Sequence, residues 1–488
     1  MIELTFAQKE SIGFQYVLEA LQPCSPYGQA LVRNIVPMGP SEKPELLRQF
    51  ANIQRMLDGE AACKKPLDNL LRILMTMKMV RPVAEKCLEA PLNEIELFEM
   101  KRFLLKSFEI YPLWCEIQPV LNLEGIEILD TTAALDILDP EQNRVAAFFI
   151  PDAYSPALQA IRQEKRHWEE LLRQIPEGEE REQLLSQRSD AAGREEVEET
   201  RIRGELSLAL QPYIPQILAN MQAIADLDVT VEKARLARRY GGTMPTITAD
   251  TLAMENMVNP RIVDLLAEKK KTFTPISISL DRGATVITGA NMGGKSVALK
   301  TVALNILLIQ CGFFPFASAA SAPLFDSLHI LSEDLENVDR GLSSFGGEMV
   351  RFNQVIRQLP QGFPFLLLDE FARGTNPDEG AAIVQAVTEY LNQRNAITVL
   401  ATHYDNVASF ANAHYQVIGL KKLDVDQLQR EISHLDGDAG VQRISQHMNY
   451  GLYRVEGKQD CPRDALNICR LLGMDREILQ MVEKNYRL

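Results

Sequence analysis

Gly289-Ala290-Asn291-Met292-Gly293-Gly294-Lys295-Ser296 is the stretch from which the rest of this chain can be read. It fits G-x-x-x-x-G-K-[ST], a phosphate-binding loop. Residues 284–288 before it are short, apolar and β-branched, as in a buried strand. Residues 297–308 after it read as an apolar helix. Strand, glycine turn and helix start together make an anion site: backbone N–H groups and the helix dipole both favour phosphate. Gly289, Gly293 and Gly294 let the backbone approach without a Cβ in the way, and Asn291 and Met292 line the same turn. Lys295 is expected to reach the β- and γ-phosphates, and Ser296 to offer a hydroxyl to Mg2+.

The chemistry expected downstream follows the same logic. Residues 365–368 are apolar and end in Asp369-Glu370. The first carboxylate is placed to hold Mg2+, the second to orient the attacking water. A further strand, 397–400, leads into Ala401-Thr402-His403. A histidine at the carboxyl end of such a strand lies on the ligand edge of an open α/β sheet, where it can donate to the γ-phosphate. Residues 341–349, Gly-Leu-Ser-Ser-Phe-Gly-Gly-Glu-Met, open a predicted helix. Ser343, Ser344 and Gly346 suit a second phosphate contact. The chain's own loop already cradles one triphosphate, so this segment is expected to face the nucleotide of a partner subunit.

A chain of 488 residues is too long for one core. The net charge of −15 argues against a basic nucleic-acid surface extending over the whole molecule. Seven cysteines lie scattered with no C-x-x-C pair, as expected of reduced thiols in a cytoplasmic protein. No signal peptide or charge-free apolar run of membrane-spanning length is visible, so no membrane partner is expected.

Residues 1–140 read as helix after helix, with Phe14, Val17, Leu18 and Leu21 on one face of the first clear one. Residues 129–140 read as a turn into a short strand or hairpin, and 145–150 as a strand. From 157 to 240 two long helices flank a Glu-rich run, which predicts an antiparallel arm with a solvated or mobile acidic tip. From 272 to 420 apolar strands, the first predicted over 273–280, alternate with helices in the α/β pattern. Residues 464–486 read as helical.

The P-loop, the Ser-Ser-Phe-Gly-Gly-Glu-Met stretch, Leu-Leu-Asp-Glu with Arg373-Gly374-Thr375, and Ala-Thr-His-Tyr, in this order, resemble the MutS family of ATPases, which is related to ABC-type ATPases. The match is specific over 250–488 and weaker upstream. Residues 225–229 and Met244-Pro245-Thr246 resemble the family's junction between lever helix and head. The resemblance implies a multidomain α + α/β protein: a helical core at 1–150, a lever arm with a reduced clamp-like tip at 151–245, an ABC-type ATPase head at 246–440 and a helical dimerising end at 441–488. It also implies an ATP- and Mg2+-dependent dimer, a homodimer or one with a related MutS-like subunit. Each nucleotide would lie between the P-loop of one subunit and Ser343 and Ser344 of the other. Phe273 is the candidate for stacking on adenine, although the spacing around it differs from the family's pattern.

Two departures shape the functional expectation. The family's mismatch-reading domain with its Phe-x-Glu wedge is not found ahead of the core, and no nuclease domain follows the head. The clamp region is short and acidic, whereas phosphate contacts need Lys and Arg. The expected function is therefore a dimeric ATPase clamp acting on DNA structures without reading mismatches. The alternative, from a different class, is an ATP-driven factor that remodels a protein client, such as a reactivase of a B12-dependent aminomutase.

Overall fold

The computed structural model describes residues 4–146, 149–289, 294–332, 344–359, 362–404, 406–419, 449–456, 469 and 474–486. The chain divides into two compact units. One comprises Met1–Leu21, Ile35–Gln54 and Lys233–Leu488; the other comprises Gln22–Asn34 and Arg55–Glu232. This division does not follow residue 150, the expected edge of a helical core. The N-terminal helices α1 (Phe6–Ile12) and α2 (Phe14–Ala20) cluster with the head instead. Asn259 Nδ2 donates to Ile12 O, Arg261 to Glu10 O, and the Tyr16 hydroxyl to Asp264. Asp264 also accepts from Tyr240 and Arg239, and these three donors hold its carboxyl below the usual range against the opposing effect of burial. Among the described residues no helix is long and apolar enough to cross a membrane.

The second unit is helical. It contains α3 (Pro26–Arg33), α5 (Lys64–Leu74), α6 (Arg81–Glu89) and α7 (Glu94–Leu121); α4 (Lys43–Gly59) spans the division. The longest of these, α7, starts on an Asn93–Glu96 capping box and ends where Asn122 turns left-handed. Residues 132–138 form helix α8 rather than the expected strand or hairpin. The Asp130 carboxylate accepts from the backbone N–H and the hydroxyl of Thr132 at its start, and the following alanines and leucines favour helix. The described part of 145–150 contains no strand.

The arm is a helical hairpin of α9 (Pro156–Leu172) and α10 (Glu179–Leu210). Helix α9 begins on Ser155 with Pro156 in its first turn. The acidic run starts α10 with Glu179, Glu180 and Glu182, where negative charge suits the helix dipole. The later glutamates are not simply solvated, contrary to the sequence reading. Arg162 bridges Asp152, Glu195 and Glu199, and Lys165 also binds Glu195. Arg188 pairs with Glu169 and Arg194 with Glu164. Arg181 caps α9 by donating to the carbonyls of Leu172 and Ile175. The hairpin is thus sewn together by its own opposite charges, which compensates for a seam poor in large apolar residues. A short 3-10 turn at Gln211–Tyr213, where Pro212 lacks an N–H, separates α10 from α11 (Ile214–Tyr240). The single second helix expected over 206–240 is therefore broken here. Within this unit Asp228 of α11 is buried and accepts from Cys24 N, Ser25 N and the Ser25 hydroxyl. Burial nevertheless pushes its carboxyl above the usual range.

The first unit holds two sheets. The smaller runs β1 (Thr246–Ile247), β5 (Ala319–Ala322), β2 (Leu252–Met257), β3 (Ile276–Leu280), so the strand expected from 273 starts three residues later. The larger runs β10 (Asn449–Arg454), β9 (Ala413–Gly419), β4 (Gly283–Thr288), β8 (Ile397–Ala401), β7 (Pro364–Asp369), β6 (Ser327–Ser332). Five of its strands are parallel and β10 is antiparallel at one edge. Every residue of β4, β7 and β8 is buried, as expected of parallel strands covered on both faces. Helix α12 (Pro260–Glu268) precedes the sheet in sequence. Helix α13 (Lys295–Gln310) follows β4 and is buried almost throughout, so it is apolar all round. A core of Leu366, Leu368, Leu400, Val384 and Leu391 packs β7 and β8 against α15 (Pro377–Asn392), joined by Phe352 of α14 (Ser344–Gln358). Of the C-terminal stretch read as helical, α16 (Arg476–Tyr486) is described.

Candidate active site

Three parallel strands end level with one another. Ala401 of β8 lies opposite Asp369 of β7 on one side and Ile287 of β4 on the other. The residues that follow each strand therefore emerge side by side at the carboxyl edge, where open α/β sheets bind ligands. Two backbone bonds bind the edge together: Thr402 N to Ile287 O at 3.1 Å and Glu370 N to Ala401 O at 3.0 Å.

At the end of β4, Gly294 caps α13 in the left-handed region at φ +88°. A side chain there would be strained and would also run into the Tyr450 ring. Lys295 is buried, and its Nζ donates to Gly289 O at 2.7 Å, which folds the lysine back along the loop. The Ser296 hydroxyl donates to Asp369 Oδ1 at 3.1 Å. A serine hydroxyl beside a carboxylate is a hard oxygen pair, and it fits Mg2+ that takes its remaining ligands from phosphate and water. Among the described residues no group of three or more His, Cys, Asp or Glu side chains is placed to hold a metal by itself. Asn291, Met292 and Gly293 lie outside the described residues.

Beyond β7 the backbone is strained. Glu370 has φ +53° and Ala372 φ +60°, both left-handed without being glycine. Such residues cost on the order of 1–3 kcal/mol each and persist where surrounding bonds fix them. The Glu370 carboxylate stands between two cations, Lys295 Nζ at 3.5 Å and Arg373 at 2.8 Å. His403 follows β8, with its ring tilted against Tyr404 at 4.5 Å. Burial pushes its pKa below the ordinary histidine value, and Glu370 opposes this less strongly. The ring is therefore neutral at pH 7 and has one N–H to give. Its Nδ1 is buried and has no hydrogen-bond partner among the described residues.

The structure thus brings Gly289, Gly294, Lys295, Ser296, Asp369, Glu370 and His403 to one edge. Helix α14 starts at Ser344, with Gly346 in its first turn; Ser343 lies outside the described residues. Phe273 is half-buried ahead of β3. Other residues near the loop carried no motif in the sequence. Tyr450 packs on Gly294 from β10. Beneath the loop, the Thr288 hydroxyl meets His414 Nε2 at 2.8 Å and Gln416 at 3.5 Å, and Gln416 in turn bonds to the Tyr453 hydroxyl. These groups come from β9 and β10, distant in sequence, so no local spacing announces them.

A family model described as MutS domain V matches residues 285–470. The chain is 31% identical over 285 residues to an endonuclease MutS2 of Levilactobacillus brevis, covering 58% of this chain and 33% of that protein. It is 31% identical over 283 residues to a DNA mismatch repair protein MutS of Natronomonas pharaonis, covering 57% and 32%. An endonuclease MutS2 of Geobacillus kaustophilus is 29% identical over 294 residues, covering 60% and 34%. The chain thus matches about a third of the length of these relatives. The strand-end site described above falls within the matched segment, so it lies in the part of the chain that is similar to domain V of the MutS family.

Proposed function

We propose that the chain is a Mg2+-dependent ATPase that works as a nucleotide-gated dimer on DNA structures. The observation that carries this reading is the level ending of β4, β7 and β8, which brings Lys295, Ser296, Asp369, Glu370 and His403 to one sheet edge. The P-loop backbone and Lys295 hold the triphosphate. Ser296 and Asp369 would hold Mg2+, which would supply positive charge against the bound triphosphate. Lys295 then turns from Gly289 O toward the phosphates, and Glu370 is released from it to orient the attacking water. His403 donates its single N–H to the γ-phosphate.

The dimer follows from α14. Ser343 and Ser344 are assigned to the nucleotide of the partner, a second copy or a related MutS-like subunit. Residues 441–488 are assigned to dimerisation and α11 to the lever. Purified protein is expected to release phosphate from ATP only with Mg2+. Ser344→Arg and Lys295→Ala chains, each inactive alone, are expected to regain hydrolysis when mixed, because the heterodimer keeps one intact composite site. If mixing restores nothing while Ser344→Arg alone hydrolyses normally at every protein concentration, the composite site is wrong.

DNA enters through the names of the relatives, and the arm favours a second reading, a protein client. The hairpin 156–210 has nine Lys and Arg against thirteen Asp and Glu. Seven of those nine are engaged in ion pairs, and Arg181 is spent on carbonyls. Duplex binding that neutralises Z phosphates gives a log K against log salt slope of about −0.9Z. With its cations committed, the arm is expected to give weak binding at physiological salt, a shallow slope and no preference for a mispair. Fluorescence anisotropy with paired and mispaired duplexes across a salt series checks this. Tight, steeply salt-dependent binding favours DNA; a mispair preference of about tenfold or more overturns this reading of the arm.

A further inference from the structure

We propose that Glu348 and Tyr404 are positioning residues that lock the turn after Glu370 and so aim its carboxylate. The inference deepens the ATPase reading and rests on it. Both side chains bind the same residue from opposite sides. Glu348 Oε2 accepts from Ala372 N at 3.0 Å, and the Tyr404 hydroxyl donates to Ala372 O at 2.9 Å. The residue they grip is one of the two left-handed non-glycines of the site, and the other is Glu370 itself. Phe371, between them, is held against Phe352 of α14, with ring centroids 4.8 Å apart. The turn is therefore fixed at three consecutive residues by groups outside it. This is the condition under which strained backbone persists.

The fold also makes room for the tyrosine bond. A Cβ on Gly380 of α15 would collide with the Tyr404 hydroxyl and approach Ala372 O at 2.9 Å, so glycine is required where the bond is made. Glu348 lies one turn into the helix that opens at Ser344, and Tyr404 directly follows His403. The catalytic carboxylate is thus clamped from both flanking motifs. Without the clamp the turn relaxes toward right-handed or extended backbone, which swings Glu370 off the line of water attack.

The test compares wild type, Glu348→Ala, Glu348→Gln, Tyr404→Phe, Glu370→Gln and the Glu348→Ala/Glu370→Gln double variant. It measures kcat and KM by phosphate release, fluorescent-ATP affinity, and the urea midpoint. Glu348→Ala and Tyr404→Phe are expected to lower kcat roughly tenfold, the scale of one lost hydrogen bond in the transition state, with nucleotide affinity unchanged. Tyr404→Phe removes only an oxygen and keeps the packing, so it serves if Glu348→Ala folds poorly. Glu348→Gln retains an acceptor for Ala372 N and is expected to restore kcat. In single-turnover hydrolysis, Glu348→Ala is expected to add no loss in the Glu370→Gln background, because it acts through that residue. Unchanged kcat in both Glu348→Ala and Tyr404→Phe overturns the proposal, as does a loss confined to affinity or a further loss in the double variant. A wild type without hydrolysis, or a Glu370→Gln variant at full rate, overturns the ATPase reading itself.

Discussion

Glu370→Gln is expected to bind ATP as the parent chain does and to hydrolyse it at least about 100-fold more slowly, the usual cost of removing a group that acts on developing charge or on the attacking water. Three features of the site set the size of this effect. Glu370 is the first residue past β7, and Asp369 beside it already faces Ser296, so the proposal gives metal holding and water activation to separate carboxylates. Glutamine keeps the shape and a hydrogen-bonding carbonyl, so binding survives. It loses the negative charge that Lys295 and Arg373 now neutralise, and with it the ability to polarise water. Phosphate release at saturating ATP, together with fluorescent-nucleotide titration, separates the two quantities. A normal turnover rate in this variant would remove Glu370 from the reaction.

The head was legible in the sequence because its signals are local. A buried parallel strand is a run of apolar β-branched residues, and 284–288, 365–368 and 397–400 all sit inside observed strands. The residues that end those runs are the proposed site residues, so locating the strands placed them along one edge. The helix expected to open within 341–349 was legible for the same reason, since α14 starts at Ser344.

Other parts depended on contacts that spacing does not record. Asp130 turns 132–138 into a helix through two hydrogen bonds, where the apolar pattern alone allowed a strand. The glutamates of the arm looked solvated because their partners, Arg162 and Lys165, lie about thirty residues away on the other helix. Residues 1–21 join the head through Asn259, Arg261 and Asp264, which no periodicity in the first helices foretells. Tyr450 reaches the loop by tertiary folding alone. The strain at Ala372 is likewise a property of its neighbours, since an alanine carries no sign of a left-handed turn.

Lys295→Met is expected to lower ATP affinity by roughly 10- to 150-fold, the range for losing hydrogen bonds to a charged group. Methionine fills nearly the same volume in a site where the lysine is buried, so the experiment removes the ammonium and little else. In the structure that ammonium contacts Gly289 O and Glu370. Glu370 retains Arg373 as a counter-charge when Lys295 is lost, so the fold is expected to tolerate the change. Binding and turnover then separate in the opposite sense to Glu370→Gln: affinity falls first, and hydrolysis falls with it. The γ-phosphate supplies the discriminating comparison. A lysine that reaches it loses more affinity for ATP than for ADP on substitution, whereas one that only braces the loop through Gly289 loses the same for both. Calorimetric titration with each nucleotide decides between them. Equal losses would confine Lys295 to a structural task and leave the γ-phosphate to His403 and the bound cation.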